Sequence, residues 1–147
     1  MKRRPWVIVT IAFLLFFPLA GTYGIWLYSH RSIQRLGGEF ASEVTPKILG
    51  GWDWQTLYEL GTLSVKQGAS EEQFREWQEQ YGELVEVGAF TPESSKVIDR
   101  ADMKWHLTDL VADVEFEEET VRLEFTAGRR AMSQDEWRIE RFVLLPR

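Results

Sequence analysis

At Gly82 the periodicity of the chain changes, and that change constrains the fold more than any other feature of the sequence. Before it, apolar residues recur three or four positions apart: Ile33, Leu36, Phe40, Val44 and Ile48, and later Phe74, Trp77 and Tyr81. Such spacing lines up side chains on one face of a helix. After Gly82, alternation takes over. "LVADVEFE" (110–117) puts Ala112, Val114 and Phe116 on one side, "TVRLEFT" (120–126) does so with Val121, Leu123 and Phe125, and "EWRIERFVLL" (136–145) closes the chain. Period two belongs to half-buried strands. Helices followed by an antiparallel meander define an α+β domain in which helices cover one face of a curved sheet.

Local signals set the element boundaries. In "GGWDWQTLYELGT" (50–62), Asp53 stands where an N-cap belongs and Trp52 is placed to staple onto Leu57, so a short helix opens there. Ser70-Glu71-Glu72-Gln73 is a capping box for a further helix that Gly82 ends. Gly37-Gly38 and Pro46 are weak joints in the first helix, where a hinge is expected. "ELVEVGAF" (83–90) reads as a strand and "TPESS" (91–95) as a turn. Glu118-Glu119 suits a tight hairpin, and Ala127 to Asp135 a longer loop. The shift of phase between Ile139 and Phe142 signals a bulge. The expected domain has about three helices on about four strands.

A separate segment precedes it. The basic head of residues 1–5 carries Lys2, Arg3 and Arg4, and no charge follows from Pro5 to Ser29. Residues 6–28 would make a helix of roughly 35 Å, against a hydrocarbon core of about 30 Å. The expectation is a transmembrane anchor over 6–28 that meets the lipid bilayer, with Trp6, Trp26 and Tyr28 at its interfacial ends and residues 29–147 as the domain. A cleaved signal peptide is the alternative, although the apolar run continues past the small-residue sites at Ala20 and Gly21. The basic head implies a single-pass protein of the inner (cell) membrane, its N-terminus cytoplasmic and its C-terminal domain periplasmic or extracellular.

Charge and composition exclude several function classes. All 23 acids lie beyond residue 28, so the domain is more acidic than the net −6 of the whole chain. No basic stripe exists to replace the counterions of nucleic acid, which is set aside as a partner. Absence of Cys rules out disulfides, thiolate metal sites and cysteine nucleophiles, and no cofactor or metal is expected. Neither a Gly-rich phosphate loop after a strand nor a serine nucleophile elbow is present.

A long first helix, a short "WD" helix, a third helix with aromatics, a strand after "YGEL" and a closing strand Trp137-Arg138-Ile139 to Phe142-Val143-Leu144 resemble the NTF2-like (cystatin-like) superfamily over roughly residues 31–146. The resemblance implies a cone of helices on a curved sheet. It fixes fold better than function, because the superfamily includes enzymes, ligand carriers and scaffolds. The layout is similar to membrane-anchored NTF2-like scaffolds of type IV secretion machines, but without any Asn the chain cannot carry their Asn-Pro motif.

Two functions follow. One is an accessory protein whose domain docks on membrane or periplasmic partner proteins to assemble or stabilise a complex, with Arg129 and Arg130 as a docking pair and a homodimer as an option. The other is a ligand-binding or isomerase-like use of the cone, with a pocket lined by Trp54, Tyr58, Trp77, Tyr81, Trp105 and His106. No spacing among the candidate acids, tyrosines and His106 identifies a catalytic dyad, so no catalytic residue is assigned.

Overall fold

The computed structural model describes residues 5–131 and 136–147, with the side chains of Thr22, 29–131 and 136–147. The chain divides into two compact units, Met1–Ser32 and Ile33–Arg147. Four helices come first: α1 (Pro5–Gly50), α2 (Trp54–Leu60), α3 (Leu63–Gly68) and α4 (Glu71–Tyr81). Five strands follow: β1 (Leu84–Val87), β2 (Thr91–Arg100), β3 (Met103–Phe116), β4 (Thr120–Arg130) and β5 (Arg138–Pro146). All pair antiparallel in one sheet. The α+β class is as expected; the counts of helices and strands are not.

The single-pass anchor expected over residues 6–28 is overturned. Among the described residues no helix is long and apolar enough to cross a membrane. The described turns of α1 carry Arg31, Arg35, Glu39, Glu43 and Lys47. Each would cost about 2.5–3.5 kcal/mol at a bilayer centre. Within 6–28 only the Thr22 side chain is described, so Trp6, Trp26 and Tyr28 lie outside the described side chains. The localisation read from the anchor loses its basis with it.

The extra strand is β2. "TPESSKVIDR" looks like a turn because no face of it alternates into the core: most of its residues are exposed, and only Ser95, Ile98 and Arg100 are half-buried. Backbone pairing with β3 from Thr91↔Val111 to Arg100↔Met103 holds it instead. Pro92 is tolerated at this sheet edge beside a register shift. β1 lies on the same side of β3, against residues 114–116, so β1 and β2 form one long edge interrupted at Gly88. There the N–H of Gly88 donates to the Asp113 carbonyl at 2.8 Å, and a Cβ would fall 2.8 Å from that oxygen. Only glycine lets the edge turn this closely.

Local signals hold elsewhere. Asp53 caps α2, accepting from the Thr56 N–H at 3.0 Å and its hydroxyl at 2.7 Å, and Ser70 caps α4 by accepting from the Gln73 N–H at 3.1 Å. The expected bulge is present, with Glu140 the extra residue opposite the step from Thr126 to Ala127. The expected hinge in the first helix is not seen, since α1 runs through Gly37-Gly38 and Pro46 to Gly50. A Cβ on Gly37 would sit 3.4–3.6 Å from Thr108, Ala127 and Trp137, so glycine here serves close approach of helix and sheet.

Hydrogen bonds from Thr56 hold the Asp53 carboxyl below its ordinary value of 3.8. A depressed carboxylate contributes stability that is full above the unfolded pKa and is lost as pH falls through the folded one. Asp53→Ala is therefore expected to cost about 1 kcal/mol at neutral pH. The gap to the parent should close as pH falls below 3.8. Urea midpoints of both proteins across that range measure it, and a gap independent of pH would exclude the carboxylate cap as its origin.

Candidate functional site

Strand alternation gives the sheet two unlike faces. Toward the helices point Thr108, Leu110, Ala112, Val114 and Phe116 of β3, Val121, Leu123, Phe125 and Ala127 of β4, and Ile139, Phe142 and Leu144 of β5, all buried. Aromatic rings fill the space between. Trp52, in the left-handed region at φ 49°, stacks on Phe116 and meets Phe74 edge-on, while its indole N–H donates to the Gly82 carbonyl at 3.0 Å. Trp54 lies against Tyr58 and Phe74, Phe74 against Trp77, and Tyr81 stacks on Phe116. A second cluster joins Phe40, Phe90 and Phe142 around Phe125.

The residues proposed from sequence as a pocket are thus divided. Trp54, Tyr58, Trp77 and Tyr81 share one aromatic network around Phe74 and Phe116. Trp105 points to the opposite face, where the Arg100 and Arg130 guanidinium groups lie 5.5 and 5.9 Å from its ring centre. His106, the next residue along β3, returns to the helix-facing side. Burial pushes the Tyr81 hydroxyl's pKa up, with Glu119 adding to the shift. Arg129 and Arg130 are separated in the same way. Both belong to β4 rather than to a loop, so they project to opposite faces and cannot dock one group together.

On the outer face a recess of about 490 Å³ lies over Leu107, Asp109, Val111 and Thr126, with Ser94, Lys96, Glu124 and Arg141 around it. Asp109 accepts from the Thr126 hydroxyl at 2.7 Å and from the Ser94 hydroxyl. Burial pushes its carboxyl up, but those two hydroxyls, with Lys96 and Arg141, more than offset it and leave the pKa lowered. Around it the charges pair across strands: Arg122 with Glu93, Arg141 with Glu124 at 2.6 Å, Arg147 with Asp113 at 2.8 Å, and Arg100 with Glu140. Such a face neutralises itself. Sequence reasoning missed it because the cross-strand pairs depend on register.

One end of the unit is different. Glu71, Glu72, Glu76 and Glu79 of α4, Glu83 and Glu86 around β1, and Glu117, Glu118 and Glu119 of the β3–β4 hairpin are all exposed. The Glu83 N–H and the end of α4 are hydrogen-bonded to that hairpin, and Val85 of β1 is 58% exposed on the sheet edge. Within α4 the only base is Arg75, 4.0 Å from Glu71. Among the described residues no group of three or more His, Asp or Glu side chains is arranged to hold a metal ion. No family model, curated protein or solved structure matches the chain.

Proposed function

We propose that the Ile33–Arg147 unit is a non-catalytic docking domain that holds a partner protein against its acidic end. The observation that carries this is the contrast between that end and the rest of the unit. The helix-facing side of the sheet is packed with rings, and the outer face pairs its own charges. The α4, β1 and hairpin surface combines unbalanced negative charge with an exposed apolar side chain on a strand edge. Charge of one sign steers a complementary partner and suppresses wrong ones, and a desolvated apolar contact holds it. The partner is therefore basic. Membership of the NTF2-like superfamily is part of the same proposal, supported by the helix-first order and the closing strand β5 that follows Trp137.

A photo-crosslinking residue in place of Val85, and separately of Met103 near the other end of the sheet, tests the site in the cells that make the protein. One discrete adduct is expected at position 85, absent at 103 and lost when Glu72, Glu76 and Glu79 are changed to Lys. Equal labelling at both positions, or an adduct indifferent to charge reversal, would contradict it.

A further inference from the structure

We propose that His106 and Arg129 form an oxyanion-binding site on the helix-facing side of the sheet, a function independent of docking at the acidic end. The two residues are directly opposed in the β3–β4 register and therefore project from the same face. Arg129 lies with its guanidinium 5.0 Å from the centre of the Trp137 ring, and Trp137 in turn stacks on Phe40 of α1. A planar guanidinium over an indole is held in orientation by the ring, with its N–H edge left to meet a ligand.

What sets Arg129 apart is a buried Nε that meets no acceptor among the described residues. Arg100, Arg122 and Arg141 of the same sheet each meet a carboxylate, as does Arg147 just beyond it, and Arg138 donates to the Glu59 carbonyl at 2.9 Å. Arg129 meets no carboxylate among the described residues, where its buried Nε is without an acceptor. A guanidinium is favoured at sites where a carboxylate or phosphate is met by two parallel N–H groups. Opposite Arg129, burial and then the Arg129 charge both push the His106 pKa down.

An arriving oxyanion changes that balance. It accepts from the guanidinium, offsets the Arg129 charge that opposes protonation of His106, and so favours an imidazolium that donates as well. His106, Arg129 and Trp137 are half-buried, and Val97, opposite His106 on β2, is 54% exposed, so the site lies near the solvent-facing end of this face. The other charged groups on this face of β2 and β3, Asp99 and Lys104, stand opposite each other one same-face step further on. The ligand chemistry is that of a carboxylate or a phosphoryl group.

The test follows the two imidazoles, His30 and His106, of the full-length chain by NMR as pH is varied in inorganic phosphate, in acetate, or in chloride of equal ionic strength. The His106 pKa should rise by at least about one unit in one or both oxyanions. Response to acetate points to a carboxylate ligand, and response to phosphate alone to a phosphoryl group. Arg129→Gln should abolish the rise, and Arg129→Lys retain part of it. If Arg129→Gln does not fold, quenching of Trp137 fluorescence by either anion in His106→Gln gives a second reading. A His106 pKa equal in all three salts, or a rise that survives loss of the guanidinium, would overturn the site.

Discussion

Replacing Phe125 with alanine is expected to destabilise the protein by about 3–5 kcal/mol. The side chain is 1% exposed and is met by three other rings, those of Phe40, Phe90 and Phe142, with centroids 5.8–6.0 Å away. Three of those four rings lie on separate elements, α1, β4 and β5, and Phe90 lies in the break between β1 and β2. Truncation removes the joint between helix and sheet and leaves a cavity that rigid neighbours cannot close. Stabilities of domains this size are about 5–15 kcal/mol, so the variant should lose a large share of the total. Urea unfolding of the full chain measures it, with Phe125→Leu expected to retain most of the stability. A loss under about 1 kcal/mol would mean that the rings do not form a packed core.

Arg100→Met is the second large effect, expected at about 2–3 kcal/mol. Arg100 reaches from the end of β2 across the outer face to Glu140, with bonds of 2.9 and 3.3 Å to its two oxygens. The Glu140 side chain is only 6% exposed, whereas that of Arg100 is 41% exposed. Removing arginine strands a buried carboxylate, but solvent reaches the arginine side and moderates the loss below that of a wholly buried pair. Glu140 has its place because Gly128 leaves room: a Cβ there would meet Glu140 Cγ at 2.8 Å. Replacing both charges, as Arg100→Met with Glu140→Leu, should restore most of the stability, and the double-mutant cycle isolates the pair. A single replacement no worse than the double one would contradict a coupled buried pair.

The parts of the fold that were legible in sequence are those where burial and local chemistry agree. The β3 and β4 alternation, the Asp53 and Ser70 caps and the Glu140 bulge follow from side-chain period and hydrogen-bonding capacity. β2 was hidden because an exposed edge strand has no apolar face to display. Its hairpin to β3 was hidden too: Ala101 and Asp102, at φ 50° and 61°, occupy a two-residue turn without the Asn-Gly or Asp-Gly pair that ordinarily marks it. α3 is six residues long, with no side-chain hydrogen bond at its N-cap, too short to show a period. The apolar run at 6–28 shows the limit of hydropathy read alone. For the site, composition pointed to His106, Arg129 and the aromatics, but strand parity decided which could meet. It separated Trp105 from His106 and Arg129 from Arg130, and it joined His106 to Arg129 across 23 positions of sequence.

The most direct test of the central claim, that this domain works by holding a partner at its acidic end, is gentle purification of the full-length protein from the cells that make it. Size exclusion followed by quantitative mass spectrometry then gives the composition of what elutes. The expected result is one basic protein at a fixed ratio, released by raised salt and absent when Glu72, Glu76 and Glu79 are changed to Lys. A clean monomer or homodimer at low salt would contradict the claim.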